Sequence, residues 1–188
     1  MYTFGTLKRM VMAKVGAQLA MQVTDEELEQ AINDAISDVR TEMPYNIAPD
    51  TSITLVALTY EYSLAALPFI YIKRITMGTA APVTYPATHI IPGWWWAVIA
   101  GPTLKFDENA FDPVAGRTLR IEGQALQAPL VADTDICYIS DSFVVTRAAG
   151  TLLGGLGSPR ESIMLRMAED ARQRSPFLPA ADSVHVRR

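Results

Sequence analysis

The chain has 188 residues, 49% of them apolar, and a formal net charge of −4; the length suits one domain or a domain with an insertion, and the apolar share supports a real core, which excludes a disordered protein. An acidic balance gives no support to a general nucleic-acid binder, which carries a basic excess, and the apolar runs 53–58 and 94–100 fall far short of the roughly 18–20 residues of a membrane-spanning helix. The single cysteine, Cys137, excludes an internal disulfide and a cysteine-based zinc site.

The opening MYTFGTLKRM has no basic region followed by an apolar run, so no secretory signal is expected and the chain reads as cytosolic where it is made. Leu7, Val11, Val15 and Leu19 stand four apart and predict a first helix over about 6–20. Thr24 and Glu27 form a capping box ahead of Leu28, Ile32, Ala35, Val39 and Met43, which predicts a second helix ended by Pro44. Glu26, Glu29, Asp34, Asp38 and Glu42 share its other face and read as solvated.

From about residue 50 the period changes to two. TSITLVAL alternates, and the I-x-I spacing of PFIYIKRITM slips by one residue at Lys73 and Arg74, which predicts a bulge. PTLKFD and GRTLRIEG read as two strands of a hairpin with Leu104, Phe106, Leu119 and Ile121 facing inward. Proline and glycine recur about every ten residues, as in a small sandwich or barrel.

Helical signals return at Phe143 to Leu153, where Ala148, Ala149 and Gly150 are small enough for close helix packing. LLGGLG stops that helix, and Ser158, Pro159 and Glu161 read as the capped start of a last helix carrying Ile163, Met164, Met167, Ala168 and Ala171. Neither helical pair buries its apolar stripe alone. The expected fold is therefore α+β: a discontinuous helical bundle from 1–48 and 140–174, an inserted small antiparallel β-sandwich or barrel from 49–139, and an extended C-terminal arm from 175–188.

The arm is basic. Arg172, Arg174, Arg187 and Arg188 oppose only Asp182 in residues 171–188, so this tail holds +3 against −7 for the rest. Phe177 and Leu178 are the apolar pair of its coreless part, suited to docking on a neighbouring subunit or partner, with Arg187 and Arg188 meeting acidic groups there.

Catalytic constellations are absent from the sequence. His89 and His185 are the two histidines, and neither has metal-site spacing or a serine nucleophile arrangement. GGLG at 154–157 has no phosphate-loop context, and Asp107, Glu108 and Asp112 in FDENAFDPVAG lack the calcium-loop pattern. No enzyme activity, cofactor or metal is expected. The run Trp94, Trp95, Trp96, read as a strand, puts Trp94 and Trp96 on one face and Trp95 on the other. That geometry excludes a three-ring platform and favours packing in the β domain or against another subunit.

The order of these elements resembles the head-to-tail adaptor (connector) proteins of tailed bacteriophages. The likeness is carried by YEYSLAALPFIYIKRI, WAVIAGPTLKFDENAFDPVAGRTLRIEG and ISDSFVVTRAAGTLL followed by a capped helix with AEDARQR. It implies a structural virion protein of the neck, a self-assembled ring, typically of twelve copies, joining portal protein to a downstream neck, stopper or tail protein. Double-stranded DNA would pass through the ring without specific binding, and no membrane would be involved. Two other functions fit the residues: a hexameric tail terminator or stopper ring, and a carbohydrate-binding β-sandwich using Trp94–Trp96.

Overall fold

A computed structural model describes residues 1–77, 89–174 and 184–185. In chain order it runs β1 (Tyr2–Thr3), α1 (Phe4–Val15), α2 (Ala17–Ala20), α3 (Asp25–Val39), β2 (Tyr45–Asn46), β3 (Glu61–Ser63), β4 (Tyr71–Met77), β5 (His89–Ile91), a 3₁₀ turn (Gly93–Trp95), β6 (Trp96–Ile99), β7 (Thr103–Phe106), β8 (Leu119–Ala125), β9 (Ile136–Cys137), α4 (Asp141–Gly155), α5 (Glu161–Arg174) and β10 (Val184–His185). Helices and antiparallel sheets together make the protein α+β. The chain divides into a helical unit, Met1–Tyr45 with Gln127–Leu178, and a β unit, Asn46–Leu126 with Pro179–Arg188.

In the helical unit α4 packs against α1, α3 and α5. Its residues Phe143, Val144, Ala148, Ala149 and Leu153 join Phe4, Leu7 and Val11 of α1 and Leu28, Ile32 and Ile36 of α3 in one buried cluster. The small residues set the spacing: a Cβ on Gly150 would lie 2.7 Å from Leu165 Cδ2 of α5, so glycine is what lets these two helices approach. The capping box of α3 is made as its sequence predicts, with Glu27 N–H donating to Thr24 Oγ1 at 3.2 Å and Thr24 N–H donating to Glu27 Oε2 at 2.8 Å.

Three helix boundaries differ from the periodic reading. The first helix breaks at Gly16, whose φ of 96° suits glycine, and α2 follows as a separate turn. The Arg160 guanidinium donates to the carbonyls of Lys14 and Val15 at 3.0 and 3.4 Å, so it satisfies the open end of α1. The second helix ends at Val39, ahead of Pro44, because the Val39 carbonyl turns back to accept from the N–H of both Glu42 and Met43. At α5 the expected box is not formed: Ser158 Oγ accepts only from Arg160 N–H at 3.4 Å, and the Glu161 carboxylate lies toward Gly154.

The acidic face of α3 does more than meet water. Glu29 pairs with Lys8 of α1 at 2.8 Å, Asp38 with Arg147 of α4 at 2.9 Å, and Glu42, in the turn that follows α3, with Arg172 of α5 at 2.6 Å. Exposed pairs of this kind contribute about 0–1 kcal/mol each, and here each fixes a different neighbour. Lys8 also binds Asp133 at 2.6 Å and stands 4.6 Å from the centre of the Phe4 ring. The Asp133 and Glu29 hydrogen bonds raise the Lys8 pKa above its usual value.

In the β unit two sheets supply one core. The larger runs β10-β4-β8-β2, with β5 also on β4, and the smaller runs β3-β7-β6. Phe69, Ile72, Ile75, Leu104, Phe106, Leu119 and Ile121, drawn from both sheets and the chain leading into them, join in a second buried cluster. The β4–β8 register shifts between Ile72 and Arg74. That bulge, at the place where the sequence period slips, turns both Ile72 and Ile75 inward. Opposite it, a Cβ on Gly123 would strike the Tyr71 carbonyl and the Phe69 ring, which excludes any larger residue without a shift of the backbone.

The expected 103–121 hairpin is replaced by a crossing between sheets. β7 lies between β3 and β6. Both edges of β8 are already occupied, one by β4 and the other by the 50–55 segment, where Leu119 N–H donates to the Ile53 carbonyl at 2.9 Å and Ile121 N–H to the Asp50 carbonyl at 2.9 Å. The four inward residues are read correctly all the same, because the side-chain alternation does not depend on which strand is the partner. Val184 and His185 pair with Ile72 and Tyr71 on the part of the β4 edge that β5 leaves open.

Candidate assembly surface

Three tryptophans in a row form no continuous strand. Pro92 fixes its φ at −56°, and Trp95 N–H closes on the Pro92 carbonyl at 3.0 Å. Gly93–Trp95 therefore make one 3₁₀ turn before Trp96 enters extended geometry. This corrects the alternation expected for Trp94, Trp95 and Trp96, since a tight turn spreads successive side chains around its axis. Trp96 goes into the β core, 7% exposed; Trp95 is half-buried against that core; Trp94 stands out in solvent, 75% exposed. The Trp94 and Trp95 rings meet edge to face, 5.4 Å apart at 88°.

Strand β7 builds the floor beside them. Trp96 pairs with Phe106 across β6 and β7, and Asp107 N–H donates to the Trp95 carbonyl at 2.8 Å. Asp107 then starts a turn, its Oδ1 accepting from Asn109 N–H at 2.9 Å, while Phe111 folds back to stack on Phe106 at 4.2 Å. The result is an open cleft of about 390 Å³ lined by Trp94, Trp95, Trp96, Lys105, Asp107, Glu108 and Asn109, among others. Lys105 is bound at 2.9 Å by Glu61, whose hydrogen bond raises the lysine pKa.

This geometry offers apolar contact with a polar rim. Asp107 and Glu108, considered with Asp112 as cation ligands, lie in a turn that uses the Asp107 carboxylate for its own backbone. Among the described residues no group of three or more His, Cys, Asp or Glu side chains is placed to hold a metal ion, and no helix is long and apolar enough to cross a membrane. Cys137 is buried and its thiol pKa is raised by that burial. Phe177, Leu178, Arg187 and Arg188, the arm contacts expected from sequence, lie outside the described residues.

Sequence reasoning did not single out Leu58. It has a φ of 58° and is 83% exposed, and nothing in the run VALTY marks a left-handed residue. No curated protein matches the chain. Residues 2–156 match the model of the family described as SU10 adaptor protein, a span that takes in α1 to α4 and every described strand but β10, and the chain accordingly belongs to that family as a structural adaptor protein of phage virions.

Proposed function

We propose that the chain acts without catalysis as the subunit of a neck ring, dodecameric, that joins the portal protein to a downstream neck or tail protein and surrounds the DNA exit channel. The observation that carries this reading is the Trp94 indole, left 75% exposed on a unit whose own core is complete. A large rigid aromatic in water beside a cleft is a surface that assembly covers. In this reading the helical unit is a four-helix bundle, the β unit a small sandwich, and Phe177, Leu178, Arg187 and Arg188 meet the portal. The net charge of −4 per copy suits DNA passage, because an acidic conduit does not gather phosphates.

Native mass spectrometry of the purified chain over a concentration series tests this reading. A twelve-copy species is expected. A six-copy species would replace the adaptor ring by a terminator or stopper ring, and a chain that stays monomeric at every concentration would remove the ring altogether.

A further inference from the structure

A ring of more than two copies needs two different surfaces on each subunit, one fitting the other. The β unit carries such a pair. One member is the Trp94–Trp95 cleft. The other is the turn at residues 56–59, where the Tyr62 hydroxyl accepts from Val56 N–H at 3.1 Å and donates to the Thr59 carbonyl at 2.9 Å, and Thr59 N–H donates to the Val56 carbonyl at 3.1 Å. These bonds hold Leu58 in the left-handed region while its side chain is 83% exposed, with Val56 and Val114 also in solvent. A leucine kept both in an unfavourable backbone region and in water contributes nothing to its own core.

The placement of the two features is specific. The turn leads into β3 and the tryptophans lead into β6, the two outer strands of the sheet β3-β7-β6. Tyr60 accepts from Phe106 N–H and Trp95 from Asp107 N–H, both at 2.8 Å, so knob and cleft sit at the same end of that sheet on opposite edges, about 10 Å apart by two strand spacings. Their charges also match. Arg117, whose carbonyl receives Leu55 N–H at 2.7 Å beneath the knob, is half-buried and has no ion-pair partner among the described residues. The cleft rim presents Asp107 and Glu108, its one lysine being held by Glu61.

We infer that Leu58 and Val56 of one copy seat in the Trp94–Trp95 cleft of the next, with Arg117 facing Asp107 and Glu108 across the joint. The inference rests on the ring reading and names the contact that closes it.

The test uses full-length chains with one defect each. Leu58→Asp loses the knob and Trp94→Asp loses the cleft; each alone should remain a folded monomer. An equimolar mixture should stop at a one-to-one pair, because the intact knob of the Trp94→Asp chain fits the intact cleft of the Leu58→Asp chain and neither can extend further. Leu58→Gly guards against misfolding: glycine accepts the positive φ, so the melting temperature should hold or rise while assembly weakens at least about tenfold. Arg117→Glu and Glu108→Arg should each weaken assembly and together restore it. Wild type that never assembles overturns both the ring and this joint. A wild-type ring that Leu58→Asp forms equally well overturns the joint alone, as does a Trp94→Asp chain that assembles normally and has lost only binding to host surface polysaccharide.

Discussion

The two units spend their surface residues differently. On the helical unit, Glu29 and Asp38 of α3 and Glu42 in the turn after it each reach a cation on a different helix, and Asn33 bonds both the N–H and the carbonyl of Leu130 at 2.8 and 3.0 Å. Polar groups there choose which segments lie together. On the β unit the ion pairs Lys105–Glu61, Arg74–Glu122 and Arg120–Glu122 join adjacent strands or the same strand, where backbone bonds have already set the neighbour. Leu58 and Trp94, 83% and 75% exposed, are the most exposed large apolar side chains among the described residues of this unit. Charged groups of the first unit serve the fold, and these two apolar groups of the second are free to serve assembly.

The largest test of this contrast lies within the tryptophan turn. Trp96→Ala should destabilise the β unit by about 3–5 kcal/mol, as for other buried large aromatics, whereas Trp94→Ala should leave stability within about 0.5 kcal/mol of wild type; thermal unfolding of both reads the difference. Equal, small effects would mean that the turn is wholly exposed. In the helical unit, Gly150→Ala should cost about 1–3 kcal/mol by pushing Leu165 away, with no gain from its better helix propensity. A stabilised variant would show that α4 and α5 are not in close contact.

The caps discriminate more finely. Thr24→Ala should lose about 0.5–2 kcal/mol, because the Thr24–Glu27 box is complete, while Ser158→Ala should lose no more than about 0.5 kcal/mol, since its one backbone contact is long. Equal losses would restore a box at α5. The smallest effect is a pH dependence. The Thr24 backbone N–H, then its hydroxyl, hold the Glu27 carboxyl below its ordinary value near 4.5. Its stabilising contribution is therefore fully present above pH 4.5 and fades as pH falls through the lower folded value. The gap in stability between wild type and Thr24→Ala should narrow on acidification, as urea titrations at successive pH values would record.

How much was readable from the residues follows the same division. Helices announce themselves over short stretches, so Thr24, Glu27 and the α3 stripe, and the small residues of α4, were legible. The slip at Lys73 and Arg74 was legible too, because a bulge changes alternation locally. Strand partners are set by residues far away in sequence, which is why β7 and β8 read as a hairpin when the 50–55 segment had already taken the edge. The tryptophan run misled for a different reason: strong β propensity lost to a Pro-Gly start that closes a turn first. For the assembly surface, Trp94–Trp96 were visible as candidates, but the partner turn was not, since the left-handed state of Leu58 is imposed by the Tyr62 hydroxyl from four residues on.

One feature of the β unit bears on how the chain acquires its structure. Ile47 N–H donates to the Gly123 carbonyl at 3.3 Å, and Asp50 bridges Ile121, so the entry and exit of the stretch Asn46–Leu126 are held side by side by the sheet. Until that stretch folds, α4 and α5 must find α1 and α3 across a long open loop. Once it has folded, the same encounter closes a loop roughly a quarter as long. At about 0.6 kcal/mol per doubling of loop length, the change lowers the closure cost by about 1 kcal/mol. During synthesis the middle of the protein thus becomes the splint on which the two separated halves of the helical unit are brought within reach, and mutations that delay the sheet should slow the helices more than they weaken them.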